Sequence, residues 1–257
     1  MTKTNRLSFD IGGTFTDIVL HKHSENEFCI HKCLTTPNDP SKGSINGINE
    51  LLYQEKLGLK DINQIVHGTT LVTNTLIERT GAKVGLLCTN GFKDLLEMGT
   101  EQRYDIHDLF LKYPEPIVPR NLCLEINERI DRDGKVIQKV DIDDIKNKIK
   151  VFLSHGVESI AICFLHSYRN PINESIAKKT IAENYPFLEI SVSNEINPEL
   201  REYERTSTTV INAYVKPLMS KYVNKLSSIF KINGFKGSFL FMQSSGGLNS
   251  PEVAINY

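Results

Sequence analysis

The sequence predicts an α/β fold: a mixed sheet in three layers with helices on both faces. Three observations carry this reading. Residues 6–34 alternate apolar and polar positions in three successive β-rich runs. From Asp141 onward, apolar residues spaced three and four apart trade places with short continuous apolar runs, the pattern of β-helix-β units and a parallel sheet. Finally, 257 residues that are 40% hydrophobic and 24% charged suffice to bury the core of one large or two modest domains.

Taken in order, Arg6–Asp10, Thr16–His21 and Phe28–Leu34 form a three-strand meander. Asp39 then stands as an N-cap with Pro40 at the first helical position, and Ile45, Ile48, Leu51 and Leu52 mark an amphipathic helix running to Lys56 and closed by Gly58. A strand at Gln64–His67 leads into a helix from Thr70 to Arg79, and Lys83–Cys88 is the next strand. Tyr104–Pro119, with prolines at 114, 116 and 119, reads as an extended crossing segment. Asp131-Arg-Asp-Gly134 between runs 125–130 and 135–138 predicts a hairpin. Helices follow at 141–153, 170–184 and 198–230, alternating with strands at 159–165, 187–192 and 238–242. Ser250 and Pro251 open a last helical turn.

Charge and composition exclude several functions. Thirty basic against thirty-one acidic residues leave a formal charge of -1, without the basic cluster that a nucleic-acid binder needs. No stretch approaches a membrane span and no apolar leader opens the chain, so the expectation is a cytoplasmic protein. Five dispersed cysteines read as reduced, buried thiols, and Cys29-x-His31-x-Cys33 lacks the second half of a four-ligand zinc site.

The most informative stretch is Asp10-Ile-Gly-Gly-Thr-Phe-Thr-Asp17. Gly12 and Gly13 let backbone N–H groups approach phosphate oxygens, Thr14 adds a hydroxyl, and Asp10 can hold a hydrated Mg²⁺. Because strand continues after the turn, this is neither a Walker loop nor a dinucleotide fingerprint; a plain Gly-Gly hairpin is the alternative. His67-Gly-Thr-Thr70 with Asn74 marks a strand-to-helix junction, suited to an anion or polar substrate, or an ordinary helix cap. Arg103 lies in an irregular segment, where a charge is either a binding group or solvated. Glu202, Arg205 and Thr209 share a helical face that surface ion pairs explain equally well. Gln243-Ser-Ser-Gly-Gly247 is a small-residue loop able to meet an anion, or a turn.

Those segments, together with Phe164-Leu-His-Ser-Tyr-Arg-Asn-Pro171 and Glu202-Tyr-Glu-Arg-Thr-Ser-Thr-Thr209, resemble the hydantoinase A and 5-oxoprolinase family along the whole chain. The resemblance implies an actin-like, ribonuclease H-like ATPase lobe whose second lobe lies outside these residues. It divides the chain into an N-terminal domain, 1–193, and the start of a central domain, 194–257. It implies ATP and Mg²⁺, used to activate the carbonyl oxygen of a cyclic amide by phosphoryl transfer. An acetone carboxylase β-type subunit acting on a ketone, another kinase of that fold, and a non-catalytic assembly subunit or inactive fragment are the alternatives. A hydantoinase B-type partner subunit is implied as well, and activity by these residues alone is not expected. By position, Asp10 becomes the Mg²⁺ carboxylate and, with His67 and Arg103, a catalytic group. Gly12, Gly13, Thr14, Thr16, Asp17, Thr69, Thr70, Asn74, Ser245, Gly246 and Gly247 become nucleotide-side residues. Ser245 departs from the Asn of the usual run.

Overall fold

The computed structural model describes residues 4–36, 39–100, 102–103, 105–244 and 246–256. Ser245, expected on the nucleotide side, lies outside the described residues. In chain order the elements are β1 (Asn5–Ile11), β2 (Phe15–Lys22), β3 (Glu27–Leu34), α1 (Pro40–Gln54), β4 (Ile62–Thr69), α2 (Leu71–Glu78), β5 (Val84–Thr89), α3 (Leu95–Met98), β6 (Cys123–Ile126), β7 (Arg129–Ile130), β8 (Val136–Gln138), α4 (Ile142–Ser154), β9 (Ser159–Cys163), α5 (Ile172–Asn184), β10 (Glu189–Val192), α6 (Ser193–Ile196), α7 (Glu202–Ile232), β11 (Ser238–Met242), β12 (Leu248–Asn249) and α8 (Pro251–Asn256). They form two compact units, Met1–Thr80 with Leu218–Tyr257, and Gly81–Pro217.

The first unit holds the mixed sheet, in the order β12-β11-β4-β1-β2-β3. β1, β2 and β3 run antiparallel, while β4 and β11 run parallel to β1. Strict alternation in β1 buries Leu7, Phe9 and Ile11 and exposes Arg6, Ser8 and Asp10. The register sets Phe9 beside Ile18 and His67 on one face. Ile45, Ile48, Leu51 and Leu52 of α1 and Met219, Tyr222, Val223, Leu226 and Phe230 of α7 complete that core. Since β1 and β4 are parallel neighbours, the turn after Ile11 and the start of α2 emerge side by side at one sheet edge.

The second unit holds a parallel sheet, β10-β9-β5-β6, whose central strands β5 and β9 are buried along their whole length. Ile145, Ile149 and Phe152 form the buried stripe of α4, which Asp141 caps by accepting the Asp143 N–H at 2.9 Å. The expected hairpin is shorter than residues 125–138. Glu125 and Ile126 belong to β6, beside β5, and only β7 and β8 pair across the Asp131–Gly134 turn. The long helix begins at Glu202 rather than Pro198, after Arg201 takes a left-handed φ of 79°. Among the described residues, no helix is long and apolar enough to cross a membrane.

Candidate phosphate-binding cleft

At that edge of the first unit lies a cleft of about 420 Å³. It is lined by Gly12 and Gly13 from the β1–β2 turn, Thr35 and Pro40 from the segment after β3, Thr69 to Leu71, Asn74, Thr75 and Glu78 of the β4–α2 junction, and Leu218 and Tyr222 of α7. The turn is fixed from below. The Gly12 N–H donates to Phe15 O at 2.9 Å, the Thr35 N–H to Thr14 O at 2.9 Å, and the Thr35 hydroxyl to Gly12 O at 2.9 Å. With its proton so committed, Thr35 Oγ1 accepts from Thr16, 3.1 Å away. Thr16 is therefore a buried prop under the loop rather than a lining group.

The N–H groups of Gly13 and Thr14 have no intramolecular acceptor among the described residues. Neither Gly12 nor Gly13 has a left-handed φ, so steric room and not conformation is what glycine supplies here. A Cβ on Gly13 would meet nothing within 4 Å, and Gly13 itself lines the cleft. Across the opening, Thr69 Oγ1 accepts the Leu71 N–H at 3.1 Å, and the Asn74 amide donates to Thr70 Oγ1 at 3.4 Å. Backbone donors, threonine hydroxyls and a carboxamide over an apolar floor make a surface suited to an oxyanion.

The structure thus brings together Gly12, Gly13, Thr69, Thr70 and Asn74, and separates the other expected residues. Thr14 sits exposed on the turn, outside the lining. Asp10 and Asp17 stand directly opposite on the exposed face of β1 and β2, outside the lining; Asp17 pairs with Lys32 at 3.0 Å. Gly68 makes room for Asp10, since a Cβ there would stand 3.0 Å from its Oδ1. Gly246 and Gly247, both at φ 86°, form the tight turn joining β11 to β12, closed by Gly246 N to Gln243 O at 2.9 Å. Arg103 belongs to the second unit and donates to Asp108 O at 3.0 Å on the surface. His67 is fully buried with both ring nitrogens engaged, by Phe9 O at 3.1 Å and the Tyr222 hydroxyl at 2.6 Å, so it reaches the cleft only through Tyr222. Burial holds its pKa down at about 4, making it a neutral ring at ordinary pH.

Thr35, Glu78, Leu218 and Tyr222 were not foreseen as lining. Thr35 lies in a featureless connection, and Leu218 and Tyr222 carry only the apolar helical spacing of a core face.

Residues 6–185 match the hydantoinase/oxoprolinase N-terminal region and residues 205–256 the hydantoinase/oxoprolinase family. The chain belongs to the hydantoinase/oxoprolinase family. Caprolactamase subunit alpha of Pseudomonas jessenii is 37% identical over 97% of this chain and 36% of its own length. The crystal structure of the ATP-dependent caprolactamase from that organism superposes with a TM-score of 0.87, at 35% identity, over 96% of this chain and 36% of the other. A nucleotide-free acetone carboxylase gives 0.88 at 26% identity, over 100% of this chain and 39% of the other. 5-Oxoprolinase 1 of Arabidopsis thaliana is 31% identical over 96% of this chain and 22% of its length. The chain therefore spans between 22% and 39% of the length of these relatives.

Proposed function

We propose that the first unit is the phosphate-holding part of an ATP-dependent enzyme acting on cyclic amides. The observation that carries this is the uncommitted N–H of Gly13, which lines the cleft, beside the uncommitted N–H of Thr14 on the same propped turn. The caprolactamase and 5-oxoprolinase relatives support the substrate class. In this reading the amide oxygen takes the γ-phosphoryl group of ATP with departure of ADP; one water adds to the activated carbon and the ring C–N bond opens to leave an acyl phosphate, which a second water hydrolyses to the free carboxylate and phosphate. Phosphoryl transfer asks the protein chiefly for positioning and charge stabilisation. Gly12 and Gly13 admit the phosphate, Thr35 and Thr16 hold the turn rigid, and Thr70 and Asn74 meet it from the opposite wall.

Mg²⁺ fits this chain as a partner of the bound phosphates rather than as an ion in a protein cage. Among the described residues no group of three His, Cys, Asp or Glu side chains could hold a metal, and Mg²⁺ characteristically keeps water and phosphate as most of its ligands. Asp10, with Asp17 opposite, is the carboxylate that would orient it, and the ion would neutralise charge on the phosphates. A hydantoinase B-type subunit and further lobe residues complete the enzyme in this proposal, so the 257-residue chain alone turns over little or no ATP. Likeness to acetone carboxylase favours one second reading, an ATP-dependent carboxylase subunit acting on a ketone.

The test is a titration of the isotopically labelled chain with Mg-ATP, following amide resonances. Shifts concentrated at Gly13, Thr14, Thr70 and Asn74, and lost in Gly13→Val, are expected. Shifts that spare the β1–β2 turn would remove the proposal's basis. With a co-purified partner subunit, phosphate release coupled to ring opening supports the amide reading, and release coupled to carboxylation the second.

A further inference from the structure

The second unit carries an independent candidate site. In its sheet, β10-β9-β5-β6, the chain leaves β5 toward β6 on one side and leaves β9 toward β10 on the other. The carboxyl ends of β5 and β9 are therefore a topological switch point, where open parallel sheets place their ligands. A crevice with room for a single water-sized group opens there, between Thr89 at the end of β5, Cys163 and Phe164 at the end of β9, and Glu202, Arg205 and Thr206 in the first turn of α7.

Arg205 is what sets this crevice apart. Its side chain is completely buried, though a place on a charged helical face gave it equal claim to be a surface ion pair. Nη1 donates to Glu199 O at 3.2 Å, Nη2 to Phe164 O at 2.9 Å, and the guanidinium lies 5.3 Å from the Tyr168 ring centroid. Nε–H makes no hydrogen bond, and the side chain interacting with the guanidinium beside it is the Cys163 thiol, a neutral group. Two buried acids of this unit are committed elsewhere: Glu174 to the Phe164 and Asn194 amides and the Ser193 hydroxyl, and Glu128 to the Thr89 hydroxyl and the Asn173 amide. A buried cation held only by neutral groups, with one donor empty, is a costly arrangement that an anion relieves.

We propose that this crevice binds a small carboxylate, one oxygen of which accepts the Arg205 Nε–H. The size of the crevice admits that oxygen, and the mouth leaves the rest of a formate- or acetate-sized anion outside. The inference stands whatever reaction the phosphate cleft of the first unit serves.

The test is a titration of the labelled chain with sodium formate against sodium chloride at constant ionic strength, following the arginine Nε–H resonances and the unfolding temperature. One Nε–H signal, absent in Arg205→Met, should shift saturably with formate but not chloride, and unfolding should move upward. Arg205→Met should lose at least about tenfold in formate affinity. Should that variant not fold, Glu202→Gln serves instead: removing the like charge from the lining should tighten formate by up to about fivefold. No shift of any buried Nε–H, equal effects of chloride and formate, or a formate affinity untouched by Glu202→Gln would overturn the proposal.

Discussion

The Tyr222 hydroxyl donates to Nε2 of His67 across 2.6 Å. The direction follows from the other end of the ring: Phe9 O, 3.1 Å from Nδ1, can only accept, so the single proton of the neutral imidazole sits on Nδ1. Burial, and then the charge of Asp10, push the Tyr222 phenol well above its usual range, so it keeps that proton. Tyr222 thereby turns an oxygen lone pair, and not a donor, toward the candidate cleft. His67 is itself held in place by stacking on Phe9, with ring centroids 4.1 Å apart.

Tyr222→Phe should destabilise the first unit by about 1–3 kcal/mol, because it strands a buried acceptor. His67→Phe removes that acceptor as well, so the double variant should be less destabilised than the sum of the singles. Urea unfolding of the four proteins measures the coupling. Strict additivity would mean that the two side chains do not share the hydrogen bond.

Two buried groups give the units opposite pH dependence. His67 has a folded pKa of about 4 against 6.5 ordinarily, so the unfolded chain binds the extra proton between those values. Its contribution of about 3 kcal/mol is present above pH 6.5 and lost as pH falls toward 4. Glu174 is raised from 4.5 to about 7 by burial, so there the folded chain holds the extra proton. Its contribution is present below pH 4.5 and lost as pH rises through 7. Native-state hydrogen exchange between pH 4.5 and 6.5 should show β1 and β4 gaining protection with pH while β9 and β10 lose it. His67→Asn should flatten the first trend and Glu174→Gln the second.

Local pattern made much of this architecture readable. Alternation in β1 to β3, the Pro40 helix start and the apolar runs of β5 and β9 are each decided within a few residues, by pleat, cap or burial on both faces. Contacts set by register were harder to see. His67 looked like a polar group at a helix start, yet it alternates with Ile65 on the inward face, and only the pairing with Phe9 shows that this face is core. β11 joins β4 from far along the chain, and Tyr222 reaches the cleft the same way, so no local spacing marks either. Arg205 is the extreme case: its sequence neighbours are charged, and its burial comes wholly from packing at the ends of β5 and β9.

Gly47 sets how closely α1 lies on the sheet. A Cβ there would stand 2.6 Å from Cys33 Sγ and 2.7 Å from Ile18 Cδ1, both core-facing atoms. Alanine's better helix propensity, about 1 kcal/mol, is outweighed by overpacking of about 1–3 kcal/mol. Gly47→Ala should therefore be destabilising on balance, and Cys33→Ala in the same chain should recover part of the loss. Thermal unfolding reads both; a more stable Gly47→Ala would mean that α1 can lift from the strands freely.

Gly13→Ala separates binding from folding at the other end of the same sheet. The added methyl meets no atom within 4 Å, and the backbone there is not left-handed, so the folded state should tolerate it. Loss of chain entropy in the unfolded state should even raise stability, by about 0.4–1 kcal/mol. If phosphate binds as proposed, the methyl crowds its approach to the Gly13 and Thr14 amides. The expected outcome is an unchanged or slightly higher unfolding temperature together with Mg-ATP affinity lower by about tenfold or more, as for loss of charge-assisted hydrogen bonds. Calorimetric unfolding and nucleotide titration on the same preparation give both quantities. Full nucleotide affinity in Gly13→Ala would place the phosphates away from this turn.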